Sequence, residues 1–259
     1  MRRLIVEEPV AEAARWAGRL AVFAVAIAAV AVALSRIHAA DPPAALAVFA
    51  AALVIAAIAM VLAGSAAVVI WRDGLKGVGQ AAFGFALAAA LVAYPAFLAV
   101  VAFVLPPTND VSTDPASPPA FMFSTKAREA RAWAEPPPFS GQARAAQREA
   151  YPDLETVKVE MDPSEAYRLA LGVASDLGWR IVDAEPPNLA GDGSALIEAT
   201  DRSLFFGLVT DIAVRIQPGA TRTAIDVRSV SRIGKHDFGA NARRIRQFIA
   251  GVKEAGHEG

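Results

Sequence analysis

Near the end of the chain the stretch Ile225 to Val252, IDVRSVSRIGKHDFGANARRIRQFIAGV, gathers the residue types from which an anion site or an acid–base site could be made. Arginine offers a planar fork of donors that grips carboxylate or phosphate through paired hydrogen bonds. The preceding DIAVRIQPGATRTAIDVRS alternates apolar and polar residues on both sides of Pro218-Gly219, which predicts a β-hairpin. Ile212, Val214 and Ile216 can share a core with Ile225 and Val227 only if Val214 lies opposite Val227 and Ile216 opposite Ile225. The other face is then fixed: Arg215 opposes Asp226, Arg228 opposes Ala213, and Asp211 and Arg232 lie further along the same surface.

Two readings of that face are open. One is a solvated lattice of ion pairs on an open antiparallel sheet, each cross-strand pair contributing about 0.2–1 kcal/mol. The other is a ligand site in which Arg215, Arg228, Arg232 and Arg244, interspersed with Asp211 and Asp226, leave guanidinium groups over to hold an anion. Ser229 and Ser231 alternate onto the core side. Asn241 falls on the buried stripe of a final helix carrying Ile245, Phe248, Ile249 and Val252, and Asp237 is the expected N-cap. Ser229, Ser231, Asp237 and Asn241 are therefore expected to lock strand to helix, with Arg244 flanking the stripe and reaching toward acidic residues.

A hydrolase using Asp211, Asp226 or His236 is the alternative. It lacks support from spacing, because His236 and its neighbour Asp237 cannot readily orient one another as a triad requires. The chain has no phosphate loop, His metal pair or nucleophile elbow. With no cysteine, thiol catalysis and Cys-ligated metals are excluded. No cofactor and no metal are expected.

The elements that must position these residues follow from periodicity. ETVKVEM, WRIVDAE, SALIEAT, Leu204 to Ile216 and Ile225 to Ile233 read as strands. DPSEAYRLALGVASDLGW reads as a helix opened by Asp162 and Pro163. Strand, helix, several antiparallel strands and a closing helix make an α+β domain over residues 153–259, an antiparallel sheet with helices on one face, like a helix-grip fold. Residues 106–152 are Pro-rich and expected to be largely extended, with one helical turn around Lys126 to Trp133. Phe121, Met122, Phe123 and Trp133 imply that part of this segment docks on the domain.

The first 105 residues explain a hydrophobic content of 55%. A helix needs roughly 20 apolar residues to cross a ~30 Å hydrocarbon core, and residues 16–34, 44–70 and 78–105 each supply them, predicting a three-helix anchor in the bilayer. The leading segment is long and mixed in charge, so the first span is expected to be an anchor rather than a cleaved signal. Their Ala and Gly richness predicts close packing. No ionisable residue lies deep in a span, which disfavours transport. Arg2, Arg3, Arg15, Arg19, Arg72 and Lys76 flank one side, against Arg36 and His38 on the other. The positive-inside rule then puts the N-terminus in the cytoplasm and everything after Leu105 outside: in a Gram-negative bacterium, an inner-membrane protein with a periplasmic domain. A net charge of -1 argues against nucleic acid as a partner. An anionic ligand, a lipid headgroup or an envelope protein is expected instead.

NDVSTDPASPPAF, FFGLVTDIAVRIQPG and IDVRSVSRIGKHDFGANARRIRQF together resemble the bacterial and plastid family called domain of unknown function 1499, over Asn109 to about Val252. The Arg228-Ser229-x-Ser231-Arg232 block and the Asp237-x-Gly239-x-Asn241-x-x-Arg244-Ile245 block carry most of that likeness. Thr210 stands where the pattern has a second Asp beside Asp211, which weakens any paired-carboxylate metal site. The resemblance implies a domain boundary and a docked Asn109 segment, and no activity.

Overall fold

The computed structural model describes residues 9–37, 39–122, 124–136, 138–188 and 191–257. Arg2, Arg3, His38, Phe123 and the side chain of His257 lie outside the described residues. The chain divides into two compact units, Met1–Val100 with Leu204–Gly207, and Val101–Ser203 with Leu208–Gly259.

The first unit is built on α1 (Glu12–Arg36), α2 (Pro42–Asp73) and α3 (Val78–Val104), all long and apolar enough to cross a membrane. Each runs slightly beyond or short of its expected span at the ends. Ala14, Ala17, Ala21, Ala24, Ala28 and Ala31 form the buried stripe of α1, and alanines likewise line that of α2. Small side chains let the backbones approach, which is how helices associate where burial from water supplies no driving force. Gly84 of α3 shows the limit: a Cβ there would stand 2.8 Å from the backbone nitrogen of Gly18. Pro95 sits inside α3. The Arg19 guanidinium lies 5.6 Å from the ring centroid of Trp16.

The second unit is a six-stranded antiparallel sheet ordered β1-β6-β5-β4-β3, with β2 also paired to β6. The strands are β1 (Asp110–Ser112), β2 (Val157–Val159), β3 (Arg180–Glu185), β4 (Ala195–Arg202), β5 (Val209–Gln217) and β6 (Thr223–Ser231). The β5–β6 register is the one patterning demands, Val214 against Val227 and Ile216 against Ile225. Helices α6 (Pro163–Asp176) and α7 (Ala240–His257) cover one face. Asp162 caps α6 by accepting from the amides of Ser164 and Glu165 at 2.8 and 2.9 Å. The core beneath them holds Ile197, Ile212, Val214, Ile225, Val227 and Phe248, with Phe248 stacked on Trp179 at 5.2 Å between centroids.

Two expectations change. The strand expected from Leu204 starts at Val209, because Leu204–Gly207 forms a turn that Gly207 closes with a φ of 59°. The segment 106–152 is more ordered than its prolines suggest: it contains β1, α4 (Thr125–Ala130) and α5 (Gly141–Ala150). Its prolines fall between these elements, and Ser124 and Ser140 cap the two helices by accepting from Ala127 and Ala143. Phe121 and Met122 are buried as expected, whereas Trp133 is 56% exposed and stacks with Arg128 instead of the sheet.

Candidate functional site

The polar face of the sheet lies opposite α6 and α7 and is covered by the 106–152 strap. Alternation along β5 and β6 sends Asp211, Arg215, Asp226, Arg228 and Arg232 to this side, and β4 adds Glu198. Arg228 binds Asp110 of β1 through Nε and Nη2 at 3.0 and 2.7 Å. Its guanidinium also lies 5.3 Å from the ring centroid of Phe121 and 5.6 Å from that of Phe139. Arg232 makes the same two-pronged contact with Asp211, at 2.8 and 2.7 Å, and donates to the carbonyl of Ala130. Arg215 bridges Asp226 at 2.9 Å and Asp114 at 3.1 Å through one nitrogen. Asp226 accepts in addition from the hydroxyls of Thr113 and Thr156.

Sequence reasoning missed the most deeply buried pair, Arg131 with Glu198. Glu198 accepts from Arg131 and from the amide of Met122, and Arg131 also donates to the Met122 carbonyl. Glu198 could have been found, since it is a charged residue on the β4 strand SALIEAT with neighbours that alternate into a core. Arg131 could not, because its partner lies 67 residues away. Burial pushes the carboxyls of Glu198 and Asp110 above their ordinary range, against the pull of Arg131 and Arg228.

Arg244 is not part of this face. It sits on the helix side, bonded to Asp201 at 2.8 Å and to Asn241 at 2.8 Å. There Asn241 accepts from Ser229 at 2.9 Å and donates to Ser231 at 3.1 Å, joining β6 to α7. Asp237 caps the start of α7 by accepting from Gly239 and Asn241, and burial raises its carboxyl pKa. His236 has both ring nitrogens engaged by backbone, Nε2 with the carbonyl of Leu105 and Nδ1 with the amide of Phe238. A neutral ring with Nε2 as donor satisfies both contacts.

From β5 and β6 alone the face reads either as a lattice of ion pairs or as a surplus of guanidinium groups. The strap adds Asp110 and Asp114 and β4 adds Glu198, so that Arg131, Arg215, Arg228 and Arg232 each pair with a carboxylate. Among the described residues no group of three or more His, Asp or Glu side chains is arranged to hold a metal ion.

Fold and face define a class: three apolar helices joined to an α+β domain whose polar sheet face is closed by an ion-paired strap. The family described as "Protein of unknown function (DUF1499)" matches residues 110–252, more than half of the chain, and the chain belongs to it. The match starts in β1 and so takes in the strap as well as the sheet, while the three helices lie outside it. No curated protein matches the chain.

Proposed function

We propose that this chain is a membrane-anchored envelope protein whose α+β domain sits on the extracytoplasmic side and acts without catalysis, as a rigid module presented to an envelope protein partner. The basic flanks before the first helix and between the second and third support that orientation. The carrying observation is the matched charge of the polar face: Arg228 and Arg232 each hold a carboxylate of their own chain with two hydrogen bonds. An incoming anion has to displace those carboxylates, so the pairs serve better as an internal latch between strap and sheet than as a receptor. Asp211 and Asp226 are engaged in that framework and both ring nitrogens of His236 are taken up by backbone groups, which counts against the hydrolase alternative.

One observation favours a second reading confined to Arg215. Its Nε is buried without a partner, its Nη1 has only a 3.5 Å contact with Ser117, and its strap partner Asp114 is partly exposed. An anionic headgroup or small anion replacing Asp114 would find spare donors there. Native mass spectrometry of the full chain released from micelles separates the two. The module reading expects no small anionic adduct, and cross-linking in the intact membrane is then expected to capture a protein. An adduct that a folded Arg215→Ala variant loses supports the Arg215 reading instead.

A further inference from the structure

We infer that the Leu204–Gly207 turn is an interfacial membrane element whose open side, Leu204 and Phe205, takes up the acyl-chain boundary of the bilayer. The inference rests on the proposal that the three helices span a membrane.

A turn between two strands is ordinarily built of Gly, Asn, Asp or Pro. SLFFGL places three large apolar residues there instead. The turn is preformed: the amide of Ser203 donates to the Leu208 carbonyl at 2.9 Å, and the amide of Leu208 to the Ser203 hydroxyl at 3.0 Å. With Gly207 in the left-handed region, this closure leaves Leu204 and Phe205 on the open side of the turn. Leu204 is 78% exposed and Phe205 49%. Fixed apolar side chains held in the open mark a surface that is covered in use.

The other side of the turn shows what covers it. Leu204–Gly207 belongs to the helical unit. Within that unit the Phe206 ring packs edge-on to Phe49 at 5.2 Å, and its carbonyl accepts from the Ser35 hydroxyl at 2.7 Å. The Phe205 ring lies 5.6 Å from Tyr94. Ser35 is in the last turn of α1 and Phe49 in the second turn of α2, so both mark the same end of the bundle. At 1.5 Å per residue the 32 residues of α2 span about 48 Å, about 18 Å more than a hydrocarbon core. Phe49, about 10 Å from the start of α2, therefore lies at the acyl boundary. Interfacial elements bury their apolar side about 5–10 Å deep, which is the level of this turn. Tyr94 of α3, which meets the Phe205 ring, is itself 53% exposed.

The chain has no cysteine, so single labels report without background. Leu204→Cys, Val61→Cys in mid-α2, and Ala220→Cys in the β5–β6 turn, at the other end of β5, are labelled with bimane. The full chain is then reconstituted in phosphatidylcholine vesicles carrying brominated acyl chains. The expected result is loss of emission at 204 and 61 and retained emission at 220. Quenching at 61 without quenching at 204 overturns the inference and leaves the membrane reading standing, and so does a blue-shifted but unquenched label at 204. No quenching at 61 overturns both, and equal quenching at 204 and 220 overturns the specific role of the turn.

Discussion

The two faces of the one sheet are closed by different physics. Under α6 and α7 the sheet buries Ile, Val, Trp and Phe against helix stripes, and stability follows the apolar area removed from water. Under the strap it buries Arg131, Glu198, Arg228, Asp110 and Asp226, with only small apolar patches such as Phe121 with Ala213 and Val230. The apolar face tolerates any well-packed hydrophobe of similar size. The polar face demands partners: a charge taken from water and left single costs more than the pair contributes. The lesson is that the strap is specified by complementarity, which makes it selective about register without making it the larger source of stability.

Removing one charge from the deepest pair should have the largest effect. Arg131→Ala leaves Glu198 buried alone and is expected to cost about 3–5 kcal/mol. It should also open residues 110–152 to limited proteolysis. The Arg131→Met, Glu198→Leu double variant should recover most of that loss in denaturant unfolding. A cost below about 1 kcal/mol for Arg131→Ala would mean that the strap is not held by charge. On the apolar face Phe248→Ala is expected to cost about 3–5 kcal/mol through its cavity, with loss of near-ultraviolet signal from stacked Trp179.

Smaller effects sharpen the boundary between faces. Asn241→Ala leaves the Ser229 and Ser231 hydroxyls without their shared partner and is expected to cost about 1–3 kcal/mol, with α7 loosened in hydrogen exchange. Acid should act in an unusual direction. Because burial raises the Glu198 and Asp110 carboxyls, the folded chain takes up protons before the unfolded chain does as pH falls. Their contribution to stability therefore grows as pH drops from neutral through the raised values to the ordinary carboxylate range. A melting temperature measured against pH should show that slope, and Glu198→Gln should flatten it. A fall in melting temperature over this window, lost in Glu198→Gln, would mean that Arg131 keeps the carboxylate ionised in the fold. Least of all, Arg222→Ala removes an exposed pair with Glu160 and should change stability by about 0–1 kcal/mol.

Much of this was legible in the residues alone. Length and apolarity defined the three helices. Period-two alternation fixed the β5–β6 register, since a one-residue slip would turn Val214 and Val227 out of the core. The same alternation sent Ser229 and Ser231 inward to meet Asn241. These are local consequences of periodicity and chain geometry, which a sequence carries in full. The state of the arginines was a different matter. Whether Arg228 faces water or Asp110 depends on a strand 118 residues away, and whether Arg131 is wet or buried depends on Glu198 across 67. Spacing places a charge on a face but does not tell what covers the face. Only the tertiary structure brought the strap across the sheet, and with it the Asp110 and Asp114 carboxylates that pair with Arg228 and Arg215.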